Sequence, residues 1–217
     1  MLNIIKGMMS MNKFDTYVQQ LKYEVLKEVI KKAYDDDLAS CYKDIPKKIS
    51  PGPKPIARCC VYKDRAIIEE RITLAMGGNK KNPNSVEVID IACDECPAEG
   101  MYVTPACRGC LVHRCVEACP KNAISIVNHK SYIDKEKCIE CGKCVSVCPY
   151  SAIIKQERPC VKACKVDAIS IDEDKKAKIN NDKCISCGAC VYQCPFGAIS
   201  DKSYILEAID ILRKSDN

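Results

Sequence analysis

Apolar residues recur every three or four positions from Phe14 to Leu38, at Phe14, Tyr17, Val18, Leu21, Val25, Val29 and Ala33, with Leu26 and Ile30 widening the stripe. That period predicts an amphipathic helix with one buried face. The next stretch, IPKKISPGPKPIAR, carries Pro46, Pro51, Pro53 and Pro55. Proline lacks an N–H and restricts the residue before it, so an extended basic connector is expected. A second helical pattern, RAIIEERITLAM, takes Asp64 as its candidate cap and stops at Gly77-Gly78. SVEVIDI reads as a short strand. Near the C-terminus, SYILEAIDILRK predicts an amphipathic helix with Ser203 as its N-cap.

Between these helices the chain repeats itself. IDKEKCIECGKCVSVCPYSAI at 133–153 aligns without gaps with INNDKCISCGACVYQCPFGAI at 179–199, an offset of 46 residues. A shorter unit recurs as CPKNAISI from Cys119, CPYSAIIK from Cys148, CKVDAISI from Cys164 and CPFGAISD from Cys194. Four half-units predict two pseudo-symmetric modules.

Composition changes the picture at one residue type. Cysteine occurs 19 times in 217 residues, and all but Cys41, Cys59 and Cys60 lie beyond residue 92. The opening MLNIIKGMMSMNK has no apolar core and no small-residue cleavage site of a leader peptide. No apolar run approaches the roughly 18 residues of a membrane span. A reducing cytoplasm is therefore expected, where clustered cysteines bind metal rather than form disulfides.

The spacing selects the metal group. Cys138, Cys141, Cys144 and Cys148 form C-x2-C-x2-C-x3-C-P, and Cys184, Cys187, Cys190 and Cys194 repeat it. This is the bacterial ferredoxin run, whose fourth Cys ligates the other cluster of a pair. The run places Pro149 and Pro195 at the start of short helices, and Gly142 and Gly188 where backbone must approach the inorganic core. Structural zinc instead takes two Cys pairs separated by a dozen or more residues. Cys107, Cys110, Cys115 and Cys119 give a looser C-x2-C-x4-C-x3-C-P. Cys160 and Cys164 keep only the last two positions, while Cys93 and Cys96 stand unassigned upstream. If the module carrying Cys107–Cys148 is inserted into the other, the count closes on four sites. Cys107, Cys110, Cys115 and Cys148 hold the first. Cys138, Cys141, Cys144 and Cys119 hold the second. Cys184, Cys187, Cys190 and Cys164 hold the third. Cys93, Cys96, Cys160 and Cys194 hold the fourth. Three sites follow from spacing and the fourth from arithmetic, so three to four [4Fe–4S] clusters are expected. No catalytic residue is assigned.

Several weaker signals take bland readings. Cys59-Cys60 could be a ligand or redox pair, but reads better as two small buried hydrophobes. His113 reads as a loop residue, and PKKISPGPK as a solvated linker. Ile139, Ile185, Ile153 and Ile199 are expected to keep water from the clusters. The formal charge of +5 falls to about −3 once four clusters of net −2 are counted. Residues 1–92 carry 16 Lys and Arg against 12 Asp and Glu. The cluster lobe is thus acidic and the N-terminal lobe basic, which argues against nucleic acid as the cluster lobe's partner.

The expected fold is α+β. Residues 1–56 hold a helix and linker, 57–92 a helix–strand segment, 93–200 two ferredoxin-like 2[4Fe–4S] modules with one inserted in the other, and 201–217 a helix. RCCVYKDRAI, AMGGNKKNPN, VIDIACDECP, TPACRGCLVHRC and the two ferredoxin runs together resemble the N-terminal half of group B monomeric [FeFe] hydrogenases. The resemblance implies a relay between ferredoxin or flavodoxin-like partners and an H-cluster domain in an anaerobe. The H-cluster motifs TSCCP and ACxGGC are absent and no Cys follows Cys194. The expected protein is therefore a low-potential electron carrier without hydrogen turnover of its own, either free-standing or the relay part of a hydrogenase. The C-x2-C-x4-C half-unit is also similar to electron-transfer subunits of molybdopterin oxidoreductases, and a sensor acting through the basic N-terminal part is the third reading.

Overall fold

The computed structural model describes residues 14–97 and 99–215, so the leader reading of residues 1–13 lies outside the described residues. Helices are α1 (Tyr17–Tyr34), α2 (Cys41–Ile49), α3 (Val61–Ala75), α4 (Arg114–Glu117), α5 (Lys143–Ser146), α6 (Pro159–Ala163), α7 (Ala189–Gln193) and α8 (Ile205–Ser215). Strands are β1 (Val86–Val88), β2 (Gly100–Val103), β3 (Ile124–Val127), β4 (Lys130–Ile133), β5 (Ile153–Gln156), β6 (Ile169–Ile171), β7 (Ala177–Ile179) and β8 (Ile199–Asp201). The chain divides into two compact units, one from residues 1–95 and 163–217, the other from 96–162.

In the first unit, α1 starts at Thr16, whose side-chain oxygen accepts the Gln19 N–H at 3.2 Å. Its buried face is Leu21, Val25, Val29 and Ala33, the predicted stripe. The Pro-rich stretch is only partly extended. Its first residues belong to α2, with Pro46 inside the helix and buried. Cys41, Ile45 and Ile49 recur at helical spacing, and the core gained by burying Cys41 and Ile45 outweighs the hydrogen bond that Pro46 cannot make. The next helix also begins earlier than predicted. Cys60, in extended backbone, is the residue preceding α3, and Asp64 lies buried in its first turn, accepting the Ile56 N–H at 2.6 Å. An acidic residue suits a first turn as well as a cap position, which is why Asp64 misleads. Val25, Val29, Cys41, Ile45, Ile68, Ile72 and Ala75 form the core of this helical part, with Leu206 of α8 packed on it. Ser203 lies one residue before the N-cap position, which Tyr204 fills by accepting the Ala208 N–H at 3.1 Å, and Ser203 Oγ accepts the Ile205 N–H at 3.2 Å instead.

The rest of the first unit is built from small antiparallel ribbons. β1 pairs with β8, in register Val88 to Ile199. β6 and β7 form a hairpin between them in sequence, in register Ile169 to Ile179. The second unit repeats the plan on its own. β2 pairs with β5, in register Val103 to Ile153, and β3 with β4, in register Ile124 to Ile133. Its core is Met101, Cys115, Ile124, Ile133, Cys144 and Ile153. The ladders even end alike, since Thr104 N–H donates to Ala152 at 2.8 Å and Ile89 N–H to Ala198 at 2.7 Å.

Ile72 is fully buried among α1, α2 and α3. Ile72→Ala should cost about 2–5 kcal/mol, from lost burial and the cavity left behind. Denaturant unfolding followed by helix circular dichroism measures it, and a cost below ~1 kcal/mol would contradict this core.

Candidate metal centres

One backbone device recurs four times. In each copy a Cys opens a turn, a left-handed residue follows at the third position, and the next alanine N–H donates back to the Cys sulfur. The bonds are Ala123 to Cys119 at 3.2 Å, Ala152 to Cys148 at 3.3 Å, Ala168 to Cys164 at 3.2 Å and Ala198 to Cys194 at 3.3 Å. The left-handed residues are Asn122, Ser151, Asp167 and Gly197, with φ of 49°, 48°, 49° and 59°. A backbone N–H aimed at a cysteine sulfur is the kind of donor that surrounds cluster-ligating sulfurs.

A second device lies ahead of it. His113, Gly142 and Gly188 precede α4, α5 and α7 with φ of 47°, 77° and 76°. A Cβ at Gly142 or Gly188 would meet no protein atom within 4 Å. What the chain itself demands there is a positive φ, and His113 supplies it as a loop residue. The short helices α5 and α7 come before Cys148 and Cys194. Pro149 and Pro195 therefore follow helices instead of opening them, as fits a residue that cannot continue one.

These turns bring thiols together. Cys107, Cys110, Cys115 and Cys148 line one small cavity in the second unit. Cys164, Cys184, Cys187 and Cys190 line another in the first unit. Four thiols around one cavity are the donor set that a cubane cluster takes. Cys119, Cys138 and Cys144 meet at the core of the second unit. Burial pushes the Cys144 thiol up, and the charges of Cys138 and Cys141 add to the rise. Cys190 is raised likewise by burial, with Cys184 and Cys187 adding. Buried thiolates this close are costly until a metal centre neutralises them. Cys107 goes the other way. Burial opposes, but the Ser131 and Gly109 N–H groups and Lys130 hold it below its ordinary value. Of the last set, Cys93 and Cys194 belong to the first unit, Cys96 and Cys160 to the second. Cys93 accepts the Ala177 N–H at 3.3 Å.

The bland reading of Cys59-Cys60 does not hold. Cys59 is exposed and Cys60 half-buried, with the sulfurs 3.9 Å apart, because the pair lies where the chain turns into α3. The Lys63 N–H lowers the Cys60 thiol below its usual range. Cys41 is the small buried hydrophobe, fully enclosed. None of the nineteen cysteines is in a disulfide. Ile153 and Ile199 are buried, but Ile139 is 57% and Ile185 64% exposed. These two follow the first Cys of each ferredoxin run, and Ile185 lines the same cavity as Cys164, Cys184, Cys187 and Cys190.

Sequence reasoning missed two arginines of the first unit. Arg58 Nη2 donates to the Ala92 and Phe196 carbonyls, both at 3.1 Å, tying the approach to Cys93 to the turn after Cys194. Its Nη1 lies 3.8 Å from Asp94 and 3.6 Å from Glu95. Arg71 is 5% exposed and donates from Nη2 to the Gly197 carbonyl at 2.8 Å. Burial pushes its guanidinium down to about 10, Arg58 adds repulsion, and Cys194 opposes both. The signal was present in RAIIEERITLA, where Arg71 shares the apolar stripe of Ile67, Ile68, Ile72 and Ala75.

Known proteins define the class. A 4Fe-4S dicluster domain family matches residues 106–152, and a 4Fe-4S double cluster binding domain family matches residues 137–197. The chain is 32% identical over 78 residues to an uncharacterised ferredoxin of Methanocaldococcus jannaschii, covering 30% of this chain and 47% of that one. It is 42% identical over 55 residues to a 7Fe ferredoxin of Hydrogenibacillus schlegelii, 25% of this chain and 70% of that protein. It is 46% identical over 52 residues to the polyferredoxin-like subunit of an aliphatic sulfonate oxidoreductase from Pyrococcus furiosus, 23% of this chain and 30% of the subunit. The chain thus spans about half the length of the first of these relatives. It is an iron–sulfur protein of the electron-transfer class, and it belongs to the ferredoxin family. It carries multiple [4Fe–4S] clusters, in keeping with three to four. Among the described residues no helix is long and apolar enough to cross a membrane.

Ser131 is 9% exposed, with its Oγ 3.3 Å from the Cys115 sulfur and 3.7 Å from that of Cys107. Hydrogen bonds to cluster sulfurs raise the reduction potential. Ser131→Ala should lower one midpoint by about 40 mV, the one-electron equivalent of a ~1 kcal/mol bond, with iron content unchanged. A redox titration followed by electron paramagnetic resonance reads it, and an unmoved midpoint would remove Ser131 from this role.

Proposed function

We propose that the chain is an electron relay holding four [4Fe–4S] clusters, three on ligand sets expected from spacing and the fourth on Cys93, Cys96, Cys160 and Cys194. The observation that carries this is the pair of cavities, each lined by four cysteines drawn from two half-units. When bound, such clusters take up and release single electrons at potentials set by their surroundings. The thiolates hold them, the alanine and serine N–H groups donate to the sulfurs, and Ile153 and Ile199 exclude water from within. The exposed Ile139 and Ile185 beside ligand cysteines give a redox partner apolar surface to dock on. Such a partner is a ferredoxin or flavodoxin-like donor or acceptor.

The fourth set, Cys93, Cys96, Cys160 and Cys194, draws support from register. In the second unit Cys107 accepts the Ser131 N–H at 3.4 Å. In the first unit Cys93 accepts the N–H of Ala177, which stands 46 residues further along. Cys93 is thereby the counterpart of Cys107. The matching strand plans, and the position of residues 96–162 between the two segments of the first unit, favour one module inserted in the other. The motif likeness to the N-terminal half of [FeFe] hydrogenases favours hydrogen metabolism as the setting and a low potential. A second reading, an iron–sulfur subunit of another oxidoreductase, is favoured by the likeness to the Pyrococcus furiosus subunit.

Anaerobic reconstitution should give about sixteen iron and sixteen sulfide per chain, four per cubane. Cys93→Ser and Cys160→Ser should each remove the same cluster, and the double variant no more than either, because ligands of one site are not additive. Twelve iron in the unaltered protein would leave three clusters. Loss of different clusters by the two variants would overturn the pairing.

A further inference from the structure

Arg71 raises a physical problem that its hydrogen bonds do not solve. It is a buried cation in a helix core, and among the described residues no carboxylate lies within ion-pair distance of it. Its Nε is buried without a hydrogen-bond partner, and so is Nη1 of Arg58. A buried charge is retained only where something of opposite sign faces it. The two arginines also repel each other. Both grip the same turn, Arg58 at Phe196 and Arg71 at Gly197, directly after Cys194.

The glycine in that turn records the fit. The other three turns place Asn122, Ser151 and Asp167 at the equivalent left-handed position. At Gly197 a Cβ would lie 2.6 Å from Arg71 Nη2 and 2.6 Å from Val18. A side chain tolerated in three turns is excluded from the fourth, where Arg71 occupies the space.

We propose that Arg71, assisted by Arg58, is the counter-ion of the cluster ligated by Cys194 and raises its potential. This rests on the four-cluster reading. Reduction adds one electron from an external one-electron donor and takes the cluster with its thiolates from net −2 to net −3, so a fixed positive charge favours the reduced form. Low dielectric in the core keeps that effect from being screened. Arg58 shares its charge with Asp94 and Glu95, so Arg71 is the larger contributor. Both are positioning residues and neither is a ligand.

The test is a redox titration of the reconstituted full chain, with dithionite as reductant and paramagnetic resonance as readout. Cys194→Ser first identifies the signal by deleting it. Arg71→Gln should then lower the midpoint of that one signal by at least about 59 mV, a tenfold change in a one-electron equilibrium, with iron retained. Arg71→Lys should restore most of it. If the Gln variant loses iron, Arg58→Gln carries the test, with a smaller shift of the same signal and sign. Intact iron with every midpoint unmoved in both Gln variants overturns the counter-ion role and leaves the four clusters standing. Full iron in Cys194→Ser overturns the fourth cluster itself, and this inference with it.

Discussion

A cubane with four thiolate ligands cannot be served by one tight loop. Three cysteines cap it from one side, and the fourth must arrive from a different stretch of chain. That crossing requirement underlies the rest of the architecture. In the second unit, β2 and β5 pair so that the loop bearing Cys107, Cys110 and Cys115 faces the turn bearing Cys148. In the first unit, the β6–β7 hairpin leads from the turn of Cys164 to the loop of Cys184, Cys187 and Cys190. The strands are only three or four residues long, too short to be stable ribbons in water by themselves. The ligands they bring together must supply what the ribbons lack, as structural metal does in small domains.

The electrostatics follow from the same demand. Thiols raised by burial, such as Cys144 and Cys190, sit next to others that must also ionise. Without metal this arrangement is unfavourable, and with it the charge is shared over the core. Backbone N–H groups are the cheapest donors to the sulfurs, because they need no side chain to be ordered. The left-handed residues exist to aim them. Asn, Ser, Asp and Gly occupy those places, the residues for which positive φ costs least or whose side chains bond locally.

Much of this was legible because spacing is chemistry. The two ferredoxin runs and the offset of 46 residues foretell the recurring turns and the four-thiol cavities. Periodicity located α1 and its buried face. The failures have physical causes. The prolines pointed to extended chain from Ile45 on, yet burial of Cys41 and Ile45 holds Pro46 within a helix. Asp64 resembled a cap while lying one turn inside α3. Gly142 and Gly188 meet a dihedral requirement as well as facing open space, and Gly188 lines the cavity of Cys164, Cys184, Cys187 and Cys190. Cys59 and Cys60 lacked any periodic context that could place them.

Arg58 and Arg71 belong to another kind of omission. A repeat reveals what its copies share, and these residues act where the copies differ. The turns after Cys119, Cys148 and Cys164 are shaped by their own residues. The turn after Cys194 is shaped also by a helix core that the repeat does not contain, through Arg71 and Val18 against Gly197. A module copied within one chain starts with equivalent centres, and equivalent centres give an electron no preferred direction. Asymmetry comes from differences inside the copies, such as Ser131 against Ala177, and from outside the repeat. In the first unit it comes from α1 and α3, whose side chains reach one of the four turns, and a glycine there replaces the side chain that the other three retain.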